Sequence, residues 1–130
     1  MLDEHQITFR VRYPETDAMG VVHHSRYFQY FEMGRIELLR ASGISYGHIE
    51  QSGFFFVVVK VECRYKAPAR YDDELTLTTT VKKITHVRID HSYVLKRGAT
   101  VIAEGETTIA CVGKDGTLQQ IPEHLGDARK

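Results

Sequence analysis

The sequence predicts a two-layer α+β domain in which a five-stranded antiparallel sheet wraps around one long central helix. Three observations predict this fold class. One segment has helical spacing of its apolar residues, five segments alternate apolar and polar residues, and no second long helix separates the last four of them. The 130 residues are 42% hydrophobic, which suits one globular domain over residues 1–130. We expect the C-terminal residues from about Glu123 to be frayed.

The first predicted strand covers Ile7 to Tyr13, where apolar and polar residues alternate until Pro14 stops the pattern. The period changes to three or four residues between Tyr27 and Ala41, which predicts an amphipathic helix that ends at Ser42-Gly43. Gly34 lies in the middle of this helix, although glycine costs a helix about 1 kcal/mol relative to alanine. We therefore expect the sheet to pack too closely against Gly34 for a side chain.

The rest of the chain predicts four more strands after a short irregular or helical piece at residues 45–52. These strands cover residues 54–66, 74–84, 87–97 and 100–112. In the first of them, a period of two places Val57, Val59, Val61, Cys63 and Tyr65 on one face, and Val58, Lys60, Glu62, Arg64 and Lys66 on the other. One helix covers such a sheet incompletely, so we expect a homodimer or a homotetramer.

Composition excludes several function classes. Lys plus Arg and Asp plus Glu each total 17, so no overall charge attracts nucleic acid or an anionic lipid surface. Two cysteines, Cys63 and Cys111, give no disulfide framework. The N-terminus is acidic and polar, unlike a signal peptide, and the longest apolar run, Phe54 to Val59, is too short to span a bilayer. We expect a cytoplasmic protein without a nucleic-acid partner or a membrane span.

The residues between the first strand and the helix are the best candidates for chemistry. Asp17, Gly20, His23 and His24 stand immediately before the predicted helix N-terminus. Free backbone N–H groups and the helix dipole favour negative charge at such a position. The sequence therefore predicts a site there that can stabilise an oxyanion.

The same segment carries a family resemblance. Residues Arg10 to Tyr27 resemble the signature of the 4-hydroxybenzoyl-CoA thioesterase family of hotdog-fold proteins. The matching features are Thr16-Asp17, then Gly20-Val21-Val22 after two residues, and a tyrosine at the helix start. The resemblance continues through the helix and the segment Tyr65 to Asp73, so it covers roughly residues 6–122.

The resemblance implies an acyl-CoA thioesterase that hydrolyses a short-chain or aromatic acyl-CoA, or an acyl-carrier-protein thioester, to the free acid and a thiol. It implies that Asp17 acts as nucleophile or general base, and that the His24 backbone N–H polarises the carbonyl. It also implies an active site at the subunit interface. Coenzyme A is then part of the substrate, and we expect no separate cofactor.

Each candidate also has a simpler interpretation. Asp17 could be only a turn or helix-capping residue. His23 could be a general base or a capping or packing residue, and Ser25 could cap the helix. Tyr27, one turn into the helix, could line the acyl pocket or belong to the core.

The strand at residues 54–66 supplies candidates for substrate binding. Lys60, Arg64, Lys66 and the nearby Arg70 could pair with the phosphates of coenzyme A. They could equally be ordinary solubilising charges on an exposed face. Val59 is a further candidate substrate contact on the same strand.

Other functions remain as alternatives. A hotdog-fold dehydratase or hydratase of hydroxyacyl thioesters would normally need a paired histidine and acid, and a non-catalytic acyl-thioester binding protein would have no evident need for Asp17. Gly43-Ile44-Ser45-Tyr46-Gly47 matches the nucleophile motif of serine hydrolases, but a helix rather than a strand precedes it. The histidines and cysteines show no metal-binding spacing, because His86 and His91 are expected to face solvent and core, so we predict no metal site.

Overall fold

The computed structural model describes residues 1–123 and residue 125, and its helices and strands follow the predicted order. The elements are β1 (Glu4–Arg10), a 3-10 turn (Tyr13–Glu15), α1 (Arg26–Ala41), α2 (Tyr46–Gln51), β2 (Phe55–Tyr65), β3 (Glu74–Ile84), β4 (Arg88–Arg97) and β5 (Thr100–Val112). The strands form one antiparallel sheet in the order β1-β3-β4-β5-β2. Helix α1 packs on one face of this sheet, so the predicted fold class is confirmed.

The predicted end of the first strand is wrong. β1 pairs with β3 only as far as Arg10, and Tyr13 lies in the 3-10 turn with 73% of its surface exposed. The cause is Glu15, whose side chain accepts the backbone N–H of Arg12 at 2.9 Å. The chain therefore turns away from the sheet before Tyr13.

Helix α1 buries one side against the middle of the sheet. Tyr30, Phe31 and Leu38 are fully buried, and the facing strands contribute Leu77 and Leu95 to the core. The Phe31 ring stacks on the ring of Tyr93 with 4.2 Å between the centroids. This packing fixes the direction of α1, and with it the position of the loop that precedes the helix.

Gly34 lies where α1 comes closest to β3, as predicted. A Cβ atom at Gly34 would overlap the Thr79 hydroxyl and come within 2.8 Å of Leu77 Cδ2. Both side chains belong to a buried strand, so they have little room to move. A glycine therefore fits position 34 because the space there excludes a side chain, despite its low helix propensity.

We expect Gly34→Ala to lower the free energy of unfolding by about 1–2 kcal/mol. Overpacking costs about 1–3 kcal/mol, and the higher helix propensity of alanine offsets only part of that cost. Urea unfolding followed by circular dichroism measures this change. Gly47→Ala is the matched control, because a Cβ in α2 would meet only Ser45 Oγ, at 3.7 Å. Equal stability of Gly34→Ala and the unsubstituted protein would contradict the close packing.

The predicted faces of β2 are wrong near its centre, because a β-bulge interrupts the alternation. Val58 pairs with Ile109 and Lys60 pairs with Thr108, which leaves Val59 as the extra residue. Val58 therefore shares the inner face with Val61, whereas Val57 points to the outer face. The predicted faces hold from Lys60 to the end of the strand.

Strand β2 forms one edge of the sheet and pairs only with β5. Its exposed valines are Val57, Val58, Val59 and Val61, each with 40–50% of its surface accessible. A hydrophobic edge strand with free backbone groups can pair with another chain. This edge is the most apolar exposed part of the sheet.

Two further predictions concern the C-terminal residues and membrane spans. The fraying predicted from about Glu123 falls mostly outside the described residues and stays a prediction; Leu125, which is described, is buried. In the described part of the chain, no helix is long and apolar enough to cross a membrane.

Candidate active site

The loop before α1 is a tight turn that starts at Asp17. The Asp17 N–H donates to the Val21 carbonyl at 2.8 Å, and the Gly20 N–H donates to the Asp17 carbonyl at 2.9 Å. Gly20 has φ = +79°, a conformation that strains any residue with a side chain. A β-bridge between Thr16 and Val22 closes the turn. The sequence thus fixes Asp17 at the tip of a small, rigid loop.

The Asp17 carboxylate uses one oxygen for the turn. Oδ1 accepts the Met19 N–H at 2.8 Å and the Val21 N–H at 3.4 Å. Oδ2 accepts no hydrogen bond from the described residues, and the side chain is exposed. Asp17 is therefore a turn residue through Oδ1, and its second oxygen is free for another role.

A buried carboxylate connects this loop to α1. Glu15 accepts the Tyr30 hydroxyl at 2.8 Å and two guanidinium N–H groups of Arg12 at 3.1 Å each. Burial by itself would raise the pKa of Glu15, but the hydrogen bonds from the Arg12 backbone, Tyr30 and the Arg12 side chain outweigh it and lower the pKa. Glu15 therefore stays ionised and holds the loop against the helix.

The start of α1 leaves one backbone donor free. The N–H groups of Val22, His23 and Arg26 donate to the carbonyls of Ala69, Glu15 and His23 respectively, each within 2.9 Å. The Ser25 N–H donates to His23 Nδ1 at 3.2 Å. Within residues 22–26, all of which the structure describes, only the His24 N–H has no acceptor. The family resemblance implied this amide as the oxyanion donor.

The two histidines and Ser25 occupy the same exposed corner. The rings of His23 and His24 lie 4.1 Å apart, and His23 Nδ1 is 2.8 Å from Ser25 Oγ. Ser25 does not cap α1 with its side chain, because that hydroxyl is used by His23. Because Nδ1 accepts the Ser25 N–H, the neutral His23 ring carries its proton on Nε2.

The structure brings Arg70 to this loop but not the other predicted basic residues. The backbone of Arg70 forms a β-bridge with Val21, next to the Asp17 turn. Lys60 and Arg64 lie on the outer face of β2 among glutamates of β5, and Lys66, directly after β2, pairs through Nζ with Glu104 at 3.2 Å. Among the described residues, no hydrogen bond or ion pair joins these three side chains to the turn.

A cavity of about 280 Å³ lies between α1, α2, β2 and the inner face of the sheet. Its walls include Ile36, Leu39, Phe56 and Val58, and its polar residues include Arg35 and His91. The Arg35 guanidinium donates to the Tyr93 hydroxyl at 3.0 Å. His91 is only 4% exposed, and burial together with the charge of Arg35 lowers its pKa to about 3, so the ring is neutral.

Comparison with known proteins decides the family. The model of the thioesterase-like superfamily matches residues 11–128. The chain belongs to this superfamily. It is 34% identical over 104 residues to the acyl-CoA thioester hydrolase YbgC of Escherichia coli, a match that covers 79% of this chain and 78% of the relative. The predicted enzyme class, a thioester hydrolase, is confirmed by these relatives.

Solved structures agree with the fold. A hypothetical protein from Aquifex aeolicus superimposes with a TM-score of 0.91 at 32% identity, covering 97% of this chain and 99% of the other. A DHNA-CoA thioesterase from Staphylococcus aureus superimposes with a TM-score of 0.90 at 26% identity, covering 97% of this chain and 88% of the other. The hotdog fold predicted from the sequence is confirmed.

The sequence analysis did not identify three residues that lie at the candidate site or line the cavity. Glu15 anchors the loop, Tyr65 donates its hydroxyl to the His24 carbonyl at 3.0 Å, and Arg35 enters the cavity. No local pattern marks Tyr65, because its contact joins residues 41 positions apart. Tyr27 is 3% exposed and packs in the core, and its role as a substrate contact stays a prediction. The serine of the Gly-x-Ser-x-Gly match, Ser45, caps α2 by accepting the His48 N–H.

Proposed function

We propose that the protein hydrolyses an acyl-CoA or acyl-carrier-protein thioester with a short-chain or aromatic acyl group. The observation that carries this proposal is the free His24 N–H at the start of α1, in the same segment as the unbonded Oδ2 of Asp17. An oxyanion donor and a carboxylate are the two groups that the proposed hydrolysis uses. The names of the acyl-CoA thioester hydrolase from Escherichia coli and the DHNA-CoA thioesterase from Staphylococcus aureus support the same substrate class.

The proposed chemistry uses few groups because a thiol is a good leaving group. As general base, Asp17 takes a proton from water while the hydroxide attacks the carbonyl carbon, and the His24 N–H stabilises the resulting oxyanion. The C–S bond then breaks and the thiolate leaves, with a pKa of about 8.5 for an alkyl thiol, so little acid catalysis is needed. As nucleophile, Asp17 would instead form an anhydride that water hydrolyses.

We assign the cavity beside α1 to the acyl group. Its walls are mainly aliphatic and aromatic, as in most small-molecule pockets, and Arg35 and the neutral His91 add a few polar groups. Ile36 closes one wall, whereas Phe31 is committed to its stack on Tyr93. A short chain or one aromatic ring fits a volume of about 280 Å³.

We also propose a homodimer, or a tetramer built from it, that forms through the β2 edge. The exposed valines of this edge would be buried, and the free backbone groups of β2 would pair with those of the partner strand. Asp17 is exposed in a single chain, so a second subunit could complete the pocket around it. Val59 and Lys60, on the same edge, then become candidate contacts to a substrate bound at the interface, and Arg64, Lys66 and Arg70 remain candidates for the phosphates.

A panel of purified thioesters tests this function. We expect release of free thiol, detected with a thiol reagent, from at least one of butyryl-CoA, hexanoyl-CoA and benzoyl-CoA. Crotonyl-CoA, monitored for loss of its double bond, is the comparison for the dehydratase or hydratase. Hydration of crotonyl-CoA without thiol release would replace the proposed function with that alternative. Tight binding without either reaction would favour a non-catalytic acyl-thioester binding protein.

A further inference from the structure

Two hydrogen bonds hold the backbone on both sides of the free His24 N–H. On one side, the His23 carbonyl, which belongs to the same peptide group as the His24 N–H, accepts the Arg26 N–H at 2.9 Å. On the other side, the Tyr65 hydroxyl donates to the His24 carbonyl at 3.0 Å. His24 is therefore fixed at both of its peptide groups, although its own N–H has no acceptor among residues 1–123 and 125. An oxyanion donor that is held before the substrate arrives costs no reorganisation during the reaction.

We propose that Tyr65 is a positioning residue, whose hydroxyl holds the peptide group between His24 and Ser25 and thereby keeps the preceding His24 N–H pointed at the developing oxyanion. This inference rests on the proposed function, because it concerns the same donor. Tyr65 acts through His24 and is not itself in contact with the reacting atoms. The role is distinct from a core-packing role, because it depends on a single hydroxyl group.

The ring of Tyr65 is well placed for this role. Tyr65 is the last residue of β2, and its ring meets the Tyr27 ring edge-on with 5.0 Å between the centroids. Tyr27 is buried in the core, and its ring meets the Tyr30 ring edge-on with 5.9 Å between the centroids. A rigid neighbour thus sets the direction of the Tyr65 hydroxyl, so that β2 and the start of α1 are held together across 41 residues of sequence.

The hydroxyl keeps its proton under working conditions. Burial, and then the neighbouring Cys63 thiol, raise the pKa of Tyr65 to about 12. Tyr65 therefore donates to the His24 carbonyl throughout the neutral and mildly alkaline range. Nearly half of the residue's surface, 48%, is nevertheless exposed, so removal of the hydroxyl leaves the core unchanged.

Tyr65→Phe tests the inference, because it removes only the hydroxyl. With butyryl-CoA or whichever panel substrate is hydrolysed fastest, we expect kcat to fall about tenfold while KM changes less than twofold. Loss of a whole oxyanion donor costs more, about 10²–10³-fold, and here the donor is retained but less well oriented. Tyr13→Phe is the matched control: this tyrosine is also exposed and packs edge-on against Tyr71, but its hydroxyl has no hydrogen bond in the described part of the chain. We expect Tyr13→Phe to keep the original kcat.

A second measurement does not depend on turnover. Amide hydrogen exchange followed by NMR should show faster exchange or a shifted resonance at Ser25 and His24 in Tyr65→Phe, whereas Val22, bonded to Ala69, should be unchanged. The inference would be overturned by an unchanged kcat in Tyr65→Phe, or by a raised KM at constant kcat. If the unsubstituted protein still releases thiol, the proposed function stands in either case. Faster exchange along the whole of α1 would also overturn it, because Tyr65 would then have a general structural role. If the unsubstituted protein releases no thiol from any substrate, the proposed function fails, and the inference fails with it.

Discussion

Asp17→Asn is expected to lower kcat by at least about 100-fold, with folding and substrate affinity largely retained. The substituted side chain keeps an oxygen that can accept the Met19 and Val21 N–H groups, so the turn can form as before. It loses the negative charge that either proposed role requires. An amide neither takes a proton from water nor attacks a carbonyl at neutral pH. The change therefore separates the chemical role of Asp17 from its structural role.

The measurement is kcat and KM for thiol release, with the unfolding midpoint determined for the same preparations. Asp115→Asn is the matched control, because Asp115 Oδ1 also accepts the N–H of the residue two positions later, at 3.1 Å, in an exposed turn. We expect Asp115→Asn to turn over substrate at the original rate. Full activity in Asp17→Asn would remove Asp17 from the mechanism and leave its turn role as the explanation of the motif.

Local patterns predicted the bounds of the strands that end at a polar break. The bounds of β3 and β5 match the predictions, because polar breaks follow both strands directly. The end of β1 and the faces of β2 were not predictable in this way. In β1 the alternation of apolar residues continues past Arg10, but the Glu15 side chain takes the Arg12 N–H. In β2 the bulge at Val59 is a property of the pairing with β5, which a single strand sequence does not reveal.

The candidate site also has one part that the sequence could predict and one part that it could not. Asp17, Gly20 and His24 lie within eight residues of one another, so the sequence could group them and place them before a helix. Their supports come from elsewhere in the chain. Tyr30 reaches Glu15 across 15 residues, and Tyr65 reaches His24 across 41. Such contacts depend on how α1 lies on the sheet, which the periodicity of either segment leaves open.

The β2 edge carries the second large expected effect. The double variant Val57→Lys/Val61→Lys should dissociate the proposed dimer, because pairing would bury the lysine at inner-face position 61 without a partner, and the change at outer-face position 57 removes a second exposed valine from the edge. Burial of an unpaired charge costs several kcal/mol, which raises the dissociation constant of the dimer by at least about 100-fold. If the active site is shared between subunits, specific activity at micromolar protein should fall with the dimer fraction. It should recover partly as the protein concentration is raised.

Light scattering and thiol release on the same samples measure both quantities. The control is Gln6→Lys/Thr8→Lys, which places two lysines on β1, the opposite edge of the sheet, at exposed positions. We expect this control to remain dimeric and active, because β1 lacks the exposed valines of β2. An unsubstituted protein that is monomeric at micromolar concentration and fully active would contradict the proposal. A β2 variant that becomes monomeric without losing activity would show instead that the Asp17 loop and the cavity of one chain suffice for turnover. The oligomer would then have to be explained by stability alone, because burial of the β2 valines would remain its only evident benefit.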